Sequence, residues 1–156
     1  MRYARPLDTE TVYQISREAY RAAYLPVIGV VPKPGIEDYR PYIERGEVWI
    51  LEAGDEPIGV IVLEEKSDFL LVYSVAVKPR HQRNGHATTL LGFADQHALA
   101  IGVKAVRLYT NQRMERNIGL YRRCGFTEIA KRPHPSRPGE VLVDMEKTIQ
   151  SQRGAG

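Results

Sequence analysis

One stretch constrains this chain more than any other: Val75-Ala76-Val77-Lys78-Pro79-Arg80-His81-Gln82-Arg83-Asn84-Gly85-His86-Ala87-Thr88, where a β-rich apolar run passes through a turn into a helix-period segment. A helix that begins directly after a buried strand presents unpaired backbone N–H groups at its positive end. Such a turn can hold a phosphate or pyrophosphate. Gly85 and Ala87 leave room for that approach, and Gly85 tolerates the dihedral angles a tight amide nest requires. The loop is neither a Walker loop, which needs Gly-Lys-Ser/Thr, nor a G-x-G-x-x-G turn. A plain strand-to-helix turn is the competing reading.

The segments around it read in a definite order. Tyr3 to Pro6 suits a short edge strand, and Asp8 or Thr9 can cap a helix with Val12, Ile15, Ala19, Ala22 and Ala23 on one face, ending near Tyr24. Prolines and glycines then punctuate positions 26 to 35, and Ile36 to Arg45 follows as a short amphipathic helix carrying Tyr39 and Tyr42. Three β-rich runs come next, Glu47 to Glu52, Ile58 to Leu63 and Phe69 to Val77, in antiparallel succession. From Asn84 to Ala100 the period is helical, with Gly102 as the stop. A strand over Ala105 to Thr110, a short helix over Ile118 to Arg123 and strands over Phe126 to Lys131 and Val141 to Lys147 complete the order. This is a mixed α+β pattern. With 156 residues and 43% apolar composition it predicts a single domain over 1–150 and a disordered tail over 151–156.

Charge narrows the partners. The net charge is +3, yet Lys and Arg are scattered among acidic residues, which suits an anionic cofactor at least as well as nucleic acid. No aromatic-interleaved basic strip or helix-turn-helix pattern supports a nucleic-acid module. Met1 to Thr11 holds no apolar core of a signal segment and no run reaches the roughly 18 apolar residues of a membrane span, so a cytoplasmic protein without membrane partners is expected. A lone cysteine, Cys124, and four histidines at 81, 86, 97 and 134 in no ligand-like pairing predict neither an internal disulfide nor a metal site.

The spacing Gln82-x-x-Gly85-x-Ala87 resembles the Q/R-x-x-G-x-G/A signature of the GNAT (GCN5-related N-acetyltransferase) family. A second block stands in that family's order: Leu108-Tyr109-Thr110-Asn111, then Met114-x-x-Asn117-Ile118-x-Leu120-Tyr121-x-x-x-Gly125-Phe126, similar to its later strand, coenzyme-contacting Asn, helix Tyr and Gly-Phe ending. The resemblance covers about residues 2 to 148. It implies a mostly antiparallel mixed sheet of about six to seven strands, splayed between the fourth and fifth, with about four flanking helices. It further implies acetyl-CoA as cosubstrate and no metal. The backbone of Val75 and Val77 would pair with the pantetheine amides. Gln82, Arg83, Asn84, Gly85, His86, Ala87 and Thr88 would form the pyrophosphate cradle, and Asn117 would hold the coenzyme from the far side.

Direct acetyl transfer needs a neutral amine, stabilisation of the oxyanion and a proton for the departing thiolate. A backbone N–H on the Val75–Val77 strand is a reasonable oxyanion donor, and Tyr121 matches the family's general-acid position. A phenol near pKa 10 and a thiol near about 8.5 make full proton transfer weakly driven, so hydrogen bonding to the sulfur describes the role equally well. No base stands out: Leu70, Leu71 and Val72 occupy the region where some relatives carry Glu, and Tyr73, Ser74, Glu64, Glu65, Tyr109 or a water relay remain open. Tyr24, Tyr39, Tyr73, Ser74 and Tyr109 are candidates to shape the acceptor site, packing being the alternative for the tyrosines on helices. The leading expectation is an N-acetyltransferase acting on an amine of a small molecule. A protein or peptide amine, and a non-catalytic acyl-CoA sensor, are the alternatives. A homodimer is allowed for.

Overall fold

The computed structural model describes residues 1–150; the predicted tail at 151–156 lies outside them. A seven-stranded sheet carries the strand order β1-β2-β3-β4-β5-β7-β6. Its strands are β1 (Arg2–Tyr3), β2 (Val48–Ala53), β3 (Glu56–Glu65), β4 (Leu70–Val77), β5 (Ala105–Asn111), β6 (Thr127–Pro133) and β7 (Val141–Thr148). Four α-helices accompany it: α1 (Thr9–Ile28), α2 (Arg40–Glu44), α3 (His86–Ile101) and α4 (Glu115–Arg123). The sheet is open and mostly antiparallel. Parallel pairing occurs between β4 and β5, registering Leu70 with Val106 and Leu71 with Arg107. Internal contacts divide the chain into two compact units, one of Met1–Glu64 with Tyr73–Leu91, the other of Glu65–Val72 with the chain from Gly92 onward.

In the first unit, β2 and β3 form a hairpin in which Val48 faces Val62 and Ile50 faces Val60. Ile58 to Leu63 is buried throughout, as a strand covered on both faces requires, while Leu51 on the partner strand is half-buried. β4, whose Leu70 to Val72 belong to the second unit, instead alternates: Leu70, Val72, Ser74 and Ala76 are buried, while Leu71, Tyr73 and Val75 are half-buried on the opposite face. α1 lays Val12, Ile15 and Ala19 against this core, together with Tyr39 and Ile43 from the segment that follows.

The first helix runs past its expected end at Tyr24 to Ile28, with Pro26 inside its last turn. Proline there forfeits one bond to the Ala22 carbonyl, but its fixed φ is helical, so the turn continues until Gly29 takes a left-handed φ of 78° and donates to Leu25 O at 3.0 Å. The second helix shortens to Arg40–Glu44 because a 3-10 turn at Lys33–Gly35 and an irregular stretch absorb the residues before it.

In the second unit, β5 pairs antiparallel with β7 over the whole of β5, Leu108 facing Met145 and Tyr109 facing Asp144. β6 pairs with the other edge of β7, with an irregularity between Glu128 and Ala130. α4 begins three residues before its expected start, because Glu115 to Asn117 already satisfy the helical turn after Met114.

Candidate active site

The turn between β4 and α3 carries the chain from strand into helix. Lys78 N–H donates to Ile58 O at 2.9 Å, holding the end of β4 on the hairpin, and a 3-10 turn at Pro79–His81 then redirects the chain. Gln82 turns back, its Nε2 donating to Val77 O at 3.1 Å, so this side chain staples the loop to the strand. Beyond it Arg83 has a φ of 67° and Gly85 a φ of 80°. For Arg83 that conformation is costly, on the order of 1 kcal/mol. A Cβ placed on Gly85 would meet no atom within 4 Å, so the space in front of the loop is open. Thr89 N–H donates to Gly85 O at 3.0 Å. The amides of Arg83, Asn84, Gly85, His86 and Ala87 donate to no backbone carbonyl of the described residues, and Gln82 to Gly85 are exposed. An anion at the N-terminus of α3 would satisfy these donors, so the residues present fit a pyrophosphate. Lys78 and Arg80 are both paired with Glu56, Lys78 Nζ at 3.5 Å, while Arg83 is exposed beside the amides.

Along the same unit a second cluster forms on the half-open face of β4. Tyr73 donates a short hydrogen bond to Glu37 Oε2, and Tyr42 donates to Glu37 Oε1 at 2.8 Å. The two rings stack at 5.3 Å. Burial and the adjoining carboxylate raise the Tyr42 phenol to about 12 and push Tyr73 well above the usual phenol range. Next along the strand, Ser74 is buried and shares a 3.0 Å hydrogen bond with Tyr20, which stacks on the buried Tyr24. Tyr39 is 1% exposed and donates to Pro34 O at 2.5 Å. Tyr73 is thus brought together with Glu37, Ser74 lies on the opposite, buried face of β4 with Tyr20, and Tyr24 and Tyr39 are packed into the core.

Glu37 escaped the sequence reading. A charged residue in a proline- and glycine-rich segment defaults to solvent, and its partner Tyr73 lies 36 positions away. The available signal was the local one, a carboxylate followed at close spacing by Tyr39 and Tyr42.

In the second unit, Asn117 and Tyr121 stand four residues apart on α4 and therefore share a face. Asn117 is half-buried and Tyr121 is 7% exposed, its ring edge-on to Phe126 at 6.1 Å. Phe126 N–H donates to Tyr121 O at 3.0 Å, which ties the Gly125-Phe126 ending to the helix. Tyr109 lies beneath the Arg132 guanidinium at 5.0 Å, and Arg132 in turn grips Asp144 through two bonds of 2.8 and 3.1 Å. Among the described residues no group of His, Cys, Asp and Glu side chains is arranged to hold a metal. No described helix is long and apolar enough to cross a membrane.

A family model described as acetyltransferase (GNAT) family matches residues 9–126, a span that includes both the β4–α3 loop and α4. The chain belongs to the GNAT acetyltransferase family. Its similarity to the N-acetyltransferase YvbK of Bacillus subtilis (strain 168) is 31% identity over 86 residues, covering 54% of this chain and 56% of that one. The GNAT architecture is shared with two solved structures. The ribosomal-protein-S18-alanine N-acetyltransferase from Escherichia coli superposes with a TM-score of 0.75 at 19% identity, over 96% of this chain and 92% of that chain. The PaiA N-acetyltransferase from Thermoplasma acidophilum, solved in complex with coenzyme A, gives 0.75 at 20% identity over 94% and 96%. The chain spans about half the length of the curated relatives it matches.

Proposed function

We propose that this GNAT chain, acting as one domain over 1–150, transfers the acetyl group of acetyl-CoA directly to an amine of a small molecule. The observation that carries the reading is the row of unpartnered amides from Arg83 to Ala87 at the start of α3. Acetyl-CoA, when bound, supplies an activated acyl thioester. These amides hold its pyrophosphate, with Arg83 adding charge and Gln82 keeping the loop on β4. Backbone groups of Val75 and Val77 hold the pantetheine arm, and a β4 N–H stabilises the charge that develops on the carbonyl oxygen. Asn117 holds the coenzyme from α4. The Tyr121 hydroxyl donates a hydrogen bond toward the sulfur as the C–S bond breaks, and the thiolate takes its final proton from Tyr121 or from solvent.

Amine acceptors are mostly ammonium at neutral pH, and the reacting nitrogen has to give up a proton before it attacks. For an amine of pKa near 10 that costs roughly 4 kcal/mol. The tyrosine-lined cluster around Glu37 favours a small acceptor, because the segment bearing it is pinned on α1 and walls one side of the half-open face of β4. Release of free thiol from acetyl-CoA across a panel of small amines and peptides tests the reading. Acceptor-dependent release from small amines is expected. Coenzyme binding with no release from any amine would mark a sensor, and release only with peptides would move the acceptor to protein.

A further inference from the structure

The half-open face of β4 holds a carboxylate that the transfer chemistry does not use. Glu37 has a side chain 13% exposed, and its hydrogen bonds come from two neutral phenols, those of Tyr42 and Tyr73. A carboxylate has about four acceptor positions, so two phenols leave capacity for further donors. Withdrawing this charge from water is unfavourable unless a cation joins it, and the phenols bring none.

The structure also shows that an ammonium reaches this carboxylate from solvent. Lys33, 75% exposed and one turn earlier in the chain, brings its Nζ to 3.7 Å from Glu37 Oε1. That distance is a loose ion pair made by a long, mobile side chain, which a tighter cation can displace. Tyr42 stacks on Tyr73 and already carries the Arg45 guanidinium 4.8 Å from its ring centroid, so the aromatic surface beside the carboxylate is that of Tyr73, on which the methylenes of an alkylammonium can pack while its N–H groups meet oxygen.

We infer that Glu37, framed by Tyr42 and Tyr73, binds a second, non-reacting ammonium of the acceptor, so that the substrates are small amines carrying two cationic groups. This rests on the acetyl-transfer reading above. The bound cation is the non-reacting one for a physical reason: a carboxylate stabilises the protonated form of any amine it holds, which opposes nucleophilic attack by that nitrogen. The spacing follows from the strand. Tyr73 precedes Val75 by two residues, about 7 Å along β4, so the two nitrogens should be separated by roughly that distance.

The test is calorimetric titration of cadaverine and of pentylamine, matched in length and differing by one ammonium, into the protein saturated with coenzyme A. Cadaverine should bind about tenfold or more tightly than pentylamine, and Glu37→Gln should remove that difference while coenzyme A affinity stays unchanged. Lys33→Met, an exposed substitution that leaves the fold intact, should strengthen cadaverine binding by removing the resident competitor. This second variant keeps the inference testable if the Gln variant fails to fold. Equal affinity for the two amines, a cadaverine preference that survives Glu37→Gln, or absence of binding by either would overturn it. Cadaverine binding without thiol release would overturn the proposed reaction and leave this site standing. Thiol release from amines with no role for Glu37 would do the reverse.

Discussion

Gly35 lies so close to α1 that a Cβ built on it would stand 2.6 Å from Tyr20 Cβ and 2.6 Å from Val31 Cγ1. This contact seats the segment before α2 on the helix and thereby fixes where Glu37 meets β4. Gly35→Ala is expected to destabilise the protein by about 1–3 kcal/mol, since neither the α1 backbone nor the turn can yield freely. Chemical denaturation measures this, and in the folded fraction the weakening should appear in acceptor affinity while coenzyme affinity is retained.

Tyr121 is buried against Phe126 and shares its helix face with Asn117. Removing its hydroxyl leaves the packing ring in place. Tyr121→Phe should therefore slow acetyl transfer by about ten- to a hundredfold with little change in coenzyme affinity, a loss at or below the roughly hundredfold lower end of general acid catalysis. Steady-state thiol release paired with a binding titration checks it, and an undiminished rate would remove Tyr121 from the chemistry.

The Tyr42 phenol is raised to about 12 by burial and by Glu37, above its ordinary value near 10 in an unfolded chain. A phenol whose folded pKa is raised stabilises the fold fully below the unfolded value, and that contribution is lost as pH climbs through the folded one. Thermal melts from about pH 9 to about pH 12 should show the advantage of wild type over Tyr42→Phe shrinking as pH rises. A constant difference across that window would contradict the assignment.

The strand-loop-helix unit was legible because its signals are local: apolar alternation along β4, a glycine at φ 80°, and a helical period immediately after. The α4 block was legible for the same reason, Asn117 and Tyr121 lying within two turns of one helix. Glu37 was hidden because its burial depends on contacts from distant parts of the chain, Tyr73 on β4 and the seat that Gly35 finds on α1. The overrun of α1 past Tyr24 had a similar cause: Pro26 reads as a stop in sequence, yet the left-handed Gly29 is what closes the helix. Gln82 illustrates the opposite limit, since its motif position was plain but its bond to Val77 O became visible only in three dimensions.

The proposed reaction depends first on the amides from Arg83 to Ala87 holding the coenzyme pyrophosphate. Calorimetric titration of coenzyme A into wild type and Gly85→Val tests it most directly. A branched side chain there would both strain a φ of 80° and fill the open space before the amides. Wild type is expected to bind measurably and the folded variant to lose about tenfold or more in affinity. Equal affinity in a folded Gly85→Val protein, or no coenzyme A binding by wild type, would contradict it.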